Sequence, residues 1–169
     1  MGTRRSFIKS TSAAGIGLAF WPDFLFGGTG NTERLKVGLI GVGLRGTNHL
    51  ENLLLRKDTL VTAICDIDPV RIDLCLNLIS KSAWEKPKVF GKNELDYKNL
   101  LDLKEVDAVI ISTPWTWHAK MAKDAMLAGK YTGLEVSAAS TIDECWDLVK
   151  KHEKTGTHLM ILENVNYRR

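Results

Sequence analysis

The residues most able to do chemistry begin at Lys36-Val37-Gly38-Leu39-Ile40-Gly41-Val42-Gly43-Leu44-Arg45-Gly46. The run reads as a buried strand, a tight glycine turn and the start of a helix. A second apolar run, Leu60-Val61-Thr62-Ala63-Ile64-Cys65, ends in Asp66. Together they make the full dinucleotide-binding fingerprint rather than a lone G-x-G-x-x-G. Gly41 permits the sharp turn out of the strand. Gly43, without a side chain, lets the backbone approach a pyrophosphate. Gly46 lets the helix pack close to the sheet. Backbone N–H groups at the helix N-terminus then face the phosphates, where the helix dipole favours negative charge. Asp66 would take the hydroxyls of the adenosine ribose, and its charge would repel a 2′-phosphate.

These groups need a scaffold, and strand and helix signals alternate along the chain to provide one. Strands are expected over Leu35–Ile40, Leu60–Cys65, Lys88–Phe90, Val106–Ser112, Tyr131–Val136 and His158–Leu162. Helices are expected over Leu44–Arg56, after Asp68-Pro69, over Asp96–Leu103, over His118–Ala128, and from Thr141 to about Thr155. Pro69 suits a first helical turn. Thr141 and Glu144 have capping-box spacing. Such alternation predicts an α/β fold with a Rossmann-type, doubly wound parallel sheet. Ligands bind at the carboxyl ends of such strands. There the sequence delivers Gly41–Gly46, Asp66, Ser112-Thr113-Pro114-Trp115-Thr116-Trp117-His118, Glu135-Val136-Ser137 and Glu163-Asn164-Val165-Asn166-Tyr167.

The composition is that of an ordinary globular domain, with 169 residues, 44% hydrophobic and 25% charged. Of its 23 basic and 20 acidic residues, residues 1–30 hold only Arg4, Arg5, Lys9 and Asp23, so the remainder is close to neutral. Nothing in it predicts a nucleic-acid partner. Cys65, Cys75 and Cys145 are an odd set without C-x-x-C spacing, which argues against a metal site or a disulfide framework and for small buried side chains. His49, His152 and His158 are read as structural or solvated, with no assigned role.

The N-terminus reads as a leader. Thr3-Arg4-Arg5-Ser6-Phe7-Ile8-Lys9 resembles a twin-arginine export signal. The apolar stretch Ala13–Phe20 that follows is too short for a stable span, which needs about 20 apolar residues. No clean A-x-A cleavage site is visible. Residues 1–32 are therefore expected to be signal and linker, with the twin-arginine translocation machinery as a partner and the periplasm as the destination. That route carries folded proteins, which suits a tightly held nucleotide loaded before export.

The run Val106-Asp107-Ala108-Val109-Ile110-Ile111-Ser112-Thr113-Pro114, with His118, Ala128-Gly129-Lys130 and Glu135, resembles the nucleotide-binding half of the Gfo/Idh/MocA oxidoreductase family over residues 34–164. A narrower resemblance is to glycoside hydrolase family 109. It rests on Val42-Gly43-Leu44-Arg45-Gly46, Lys88-Val89-Phe90-Gly91, Asp96-Tyr97-Lys98-Asn99, Pro114-Trp115-Thr116-Trp117-His118, Leu134-Glu135-Val136-Ser137, Glu144-Cys145-Trp146-Asp147 and Leu162-Glu163-Asn164-Val165. Members of that family are NAD-dependent α-N-acetylgalactosaminidases, and many carry a twin-arginine leader.

The resemblance implies NAD as cofactor and a small-molecule glycoside as substrate. It places Leu44 and Arg45 at the pyrophosphate turn and Asp66 at the ribose. Trp115, Thr116, Trp117 and His118 fall along the adenosine-to-nicotinamide stretch, Glu135 and Val136 by the nicotinamide ribose and ring, and Asn164 near the nicotinamide. Trp115 and Trp117 also fit plain packing, and His118 also fits a role satisfying the following helix. Sugar dehydrogenases of the wider family carry Glu-Lys-Pro where this chain has Glu135-Val136-Ser137. Valine moves no proton, so the substitution favours the glycosidase branch. The implied reaction removes hydride from C3, eliminates the glycosidic oxygen after loss of the C2 proton, adds water and returns the hydride. The alternatives are a sugar dehydrogenase with net nicotinamide turnover and an inactive nucleotide-binding fragment.

The family continues into a second α/β domain, absent from this chain, that supplies most acid–base residues. By that resemblance residues 33–164 are the NAD-binding Rossmann domain and 165–169 start the hinge. The 169-residue chain alone is then expected to be inactive, with Tyr167 its last contributor to the inter-domain cleft. Homo-oligomerisation stays open.

Overall fold

The structure, a computed structural model, describes residues 34–163. The leader and linker expectations, Asn164 and Tyr167 lie outside the described residues.

Six strands form one sheet: β1 Leu35–Ile40, β2 Thr59–Cys65, β3 Lys88–Phe90, β4 Ala108–Ile111, β5 Tyr131–Leu134 and β6 Leu159–Ile161. Their spatial order is β3-β2-β1-β4-β5-β6, and every pairing is parallel. Five helices connect them: α1 Leu44–Leu54, α2 Pro69–Ser80, α3 Tyr97–Leu101, α4 Trp115–Leu127 and α5 Ile142–Thr155. This is the doubly wound arrangement that the alternation predicts. Strand order reverses between β1 and β4, which creates the crevice that such sheets use for ligands.

Alternate strand residues feed two cores, one on each face. Leu39 and Ile64 pack with Leu50 of α1 and Ile79 of α2. Ile40 and Ile111 pack with Leu100 of α3, Met126 of α4 and Leu148 of α5. Both faces are covered at the sheet centre, so β1 and β4 read as nearly continuous apolar runs.

Local signals explain the helix boundaries. Asp68 caps α2 by accepting from the Val70 N–H at 2.9 Å, with Pro69 in the first turn. Thr141 and Glu144 form the expected capping box on α5, and Gly156 ends that helix at φ +68. One boundary differs with consequence. The sequence predicts a helix from His118, but α4 begins at Trp115, with Pro114 as its N-cap. The Pro114 carbonyl accepts from the Trp117 N–H at 2.9 Å, so the first turn closes around the tryptophans. Cys65 and Cys75 are buried as expected. Cys145 is exposed, because only Leu148 of α5 is buried.

Candidate functional site

The glycine turn leaves β1 at Gly41, whose φ is +84, a region that L side chains rarely adopt. The Gly41 N–H donates to the Cys65 carbonyl at 2.8 Å, and the Ser112 N–H donates to the Ile40 carbonyl at 2.8 Å. These bonds hold the ends of β2, β1 and β4 side by side. A cleft of about 380 Å³ opens above them, with Gly41, Gly43, Asp66, Thr113 and Trp117 in its wall.

The residues of this cleft fit a dinucleotide. A Cβ on Gly46 would lie 2.0 Å from the Gly41 carbonyl oxygen, so only glycine lets α1 start this close to the turn. A Cβ on Gly43 would meet nothing within 4 Å, so the space that a pyrophosphate needs is free. The Ser112 hydroxyl, in the cleft wall, is buried without a hydrogen-bond partner among the described residues. An orphaned donor of this kind is costly unless a ligand or water satisfies it.

Asp66 is fixed by its own surroundings. One carboxylate oxygen accepts from the Val42 N–H at 2.7 Å and the other from the Asp68 N–H at 2.9 Å. An ionised carboxylate has about four acceptor positions. The two that remain can receive a pair of ribose hydroxyls.

Arg45 and His49 sit one turn apart on α1 and share a face. Both reach Glu135, just beyond β5. The Arg45 guanidinium donates to Glu135 Oε1 at 2.9 Å, and His49 Nε2 lies 2.6 Å from the same oxygen. Glu135 is only 5% exposed. Burial alone would raise its pKa. The hydrogen bonds from His49 and Arg45, with the Arg45 charge, outweigh burial and hold the carboxyl below its ordinary range. The sequence reading gave His49 no role. Its spacing of four from Arg45 was the available signal.

The segment after β4 divides. Trp117 is half-buried in the cleft wall, and the Lys120 ammonium lies 5.3 Å from its ring centroid. Trp115 and Thr116 point to solvent from the first turn of α4, outside the cleft wall. His118 is buried behind it, with Nδ1 2.7 Å from the Ser137 carbonyl and Nε2 2.8 Å from the Thr113 carbonyl. The structure thus places His118 as a brace between the segments after β4 and β5, not as a cleft-lining group. Val136 is 40% exposed beside Glu135. Leu44 and Arg45 stand in the cleft wall at the start of α1.

Two further groups line the cleft without proton chemistry. Burial, with the nearby charges of Asp96 and Asp66, pushes the Cys65 thiol up to about 12, so it is no nucleophile at neutral pH. Burial and a hydrogen bond to Asp124 raise the Tyr97 phenol, which keeps its proton. No group of three or more His, Cys, Asp or Glu among the described residues could hold a metal ion. No helix among them is long and apolar enough to cross a membrane.

Comparison with known proteins agrees with this geometry. The model of the Gfo/Idh/MocA oxidoreductase family, NAD-binding Rossmann fold, matches residues 35–163. A glycosyl hydrolase family 109 protein from Parabacteroides distasonis is 44% identical over 99% of this chain and 39% of its own length. An alpha-N-acetylgalactosaminidase from Tannerella forsythia is 42% identical over 99% of this chain and 40% of its own. The chain therefore spans about two fifths of the length of these curated relatives. Among solved structures, scyllo-inositol dehydrogenase from Lactobacillus casei with bound NAD(H) and scyllo-inositol superposes with a TM-score of 0.67. That match has 17% identity and covers 77% of this chain and 36% of the other, so the likeness is one of fold.

Proposed function

The chain belongs to the Gfo/Idh/MocA oxidoreductase family and carries its NAD-binding Rossmann fold, and from that premise we propose that it is the cofactor half of a redox-assisted glycosidase acting on α-N-acetylgalactosaminides. NAD⁺ bound in the cleft would supply reversible hydride removal at C3 of the sugar, which acidifies the C2 proton and lets the glycosidic oxygen leave by elimination before water adds. The chain's own residues bind and orient. The Gly41–Gly46 turn and the N-terminus of α1 receive the pyrophosphate. Asp66 takes the adenosine ribose through its two remaining acceptor positions. Trp117 covers one wall and excludes water.

The observation that carries this reading is Val136. It is 40% exposed directly after Glu135, where the resemblance puts a proton-transferring lysine in sugar dehydrogenases. A valine there supports chemistry whose proton steps are served from elsewhere, and the family 109 relatives support the same branch. Paired carboxylates, the usual glycosidase machinery, are not required.

The test uses a protein that joins this domain to the C-terminal part of its longer relatives. An α-N-acetylgalactosaminide is hydrolysed in deuterated water and the released sugar analysed. Deuterium at C2 without net NADH is the expected result. Stoichiometric NADH would favour a sugar dehydrogenase. Hydrolysis without C2 exchange would overturn the elimination route. We further propose export through the twin-arginine pathway, on the strength of Arg4, Arg5, Phe7 and Lys9 and the apolar stretch that follows them.

A further inference from the structure

Glu135 is held in an unusual way for a nearly buried carboxylate. Both of its donors meet the same oxygen, Oε1, at 2.9 Å from Arg45 and 2.6 Å from His49. Oε2 has no partner among the described residues, and it is not among the sealed, unsatisfied polar atoms. An arginine facing a carboxylate alone tends to pair with both oxygens in a fork. Here the Arg45 guanidinium and His49 instead share Oε1. The geometry leaves one oxygen committed and one open.

The open oxygen has a definite place along the sheet. Asp66 follows β2 and Glu135 follows β5, on opposite sides of the crevice between β1 and β4. Three strand spacings of about 4.8 Å separate those two strands, about 14 Å in all. A dinucleotide whose adenosine ribose meets Asp66, with its pyrophosphate at the glycine turn, must therefore turn its other half toward Glu135.

We propose that His49 is a positioning residue for the nicotinamide half of the dinucleotide: with Arg45 it fixes Glu135 through Oε1, so that Oε2 accepts a hydrogen bond from a ligand hydroxyl. This rests on the reading of the cleft as an NAD site. His49 touches neither cofactor nor substrate in this role. It sets which carboxylate oxygen is free and which way that oxygen faces. The ligand class is a vicinal diol, a ribose in the first instance.

The experiment titrates the whole 169-residue chain with NAD⁺ and with ADP, which carries the adenosine and both phosphates but lacks the nicotinamide riboside. His49→Leu removes the donor, and His49→Gln replaces it with an amide N–H. His49→Leu is expected to bind NAD⁺ about tenfold more weakly with ADP affinity unchanged, and His49→Gln to recover most of that loss. Glu135→Gln, which changes the acceptor itself, should show the same selective loss even if His49→Leu does not fold. NAD⁺ affinity unchanged in both His49→Leu and Glu135→Gln overturns the proposal. Equal losses of NAD⁺ and ADP also overturn it, because they indicate only a damaged α1. Failure of the unmodified chain to bind either nucleotide overturns the NAD reading beneath it, which is a separate result.

Discussion

Gly46 sits against the carbonyl of Gly41 so closely that a methyl group on Gly46 would lie 2.0 Å from that oxygen. Two backbone segments, the end of β1 and the first turn of α1, are in contact with no side chain between them. That contact aims the N-terminus of α1 into the cleft. Gly43, two residues from Gly41, shows the opposite condition, with open space where a Cβ would stand.

The two glycines are therefore expected to fail differently when replaced. Gly46→Ala forces backbone apart and should lower stability by about 2 kcal/mol or more, with loss of NAD⁺ binding. Gly43→Ala should leave urea unfolding within about 1 kcal/mol of the unmodified chain and still weaken NAD⁺, because its methyl group occupies ligand space. Equilibrium unfolding and nucleotide titration on both variants check this. Equal stability loss at both positions would contradict it.

Asp66 should decide between NAD(H) and NADP(H). Its carboxylate is fixed by the Val42 and Asp68 N–H groups and keeps two acceptor positions open. Asp66→Ala is expected to weaken NAD⁺ about tenfold, or 1.4 kcal/mol, and to narrow the preference over NADP⁺. Calorimetric titration of both nucleotides into both proteins reads the ratio. A chain that prefers NADP⁺ from the start would refute the assignment.

The Glu135 cluster predicts an acid limb in stability. The Glu135 carboxyl lies below its ordinary value of 4.5 in the folded chain. A depressed carboxyl stabilises the fold above its unfolded pKa, and the contribution is lost as pH falls through the folded one. The contribution is thus full at neutral pH and disappears from about pH 4.5 downward. Urea midpoints measured between pH 7 and pH 3 should fall less steeply in Glu135→Gln than in the unmodified chain. Parallel profiles would show that Glu135 contributes nothing to acid lability.

Export is tested by replacing Arg4 and Arg5 together with lysine, which keeps the charge and removes the guanidinium pair. Cells expressing the altered chain are expected to retain it in the cytoplasm, whereas the unmodified chain reaches the periplasm. Equal periplasmic yields would remove the twin-arginine proposal and leave a basic tail.

Much of the scaffold was legible in the sequence. β1 and β3 fall on the expected residues, Pro69 stands in the first turn of α2 as read, and the capping box of Thr141 and Glu144 is formed. The fingerprint from Gly41 to Gly46 and Asp66 lines one cleft, with Gly46 packed behind it. These are short-range signals. Strand alternation, helix caps and glycine turns depend on neighbours a few residues away, and the parallel sheet follows from their order.

The tertiary structure alone decided how the side chains divide between cleft, solvent and brace. The family resemblance implies Trp115 to His118 together along a ligand. The early start of α4 wound them into a helical turn, which by its period sends Trp115 and Thr116 to solvent, Trp117 to the cleft and His118 inward. A nearly buried carboxylate such as Glu135 needs a partner. Its partners, Arg45 and His49, stand 90 and 86 residues earlier in the chain. No local pattern encodes that meeting, because it requires β1, β4 and β5 to lie side by side with α1 angled over their ends.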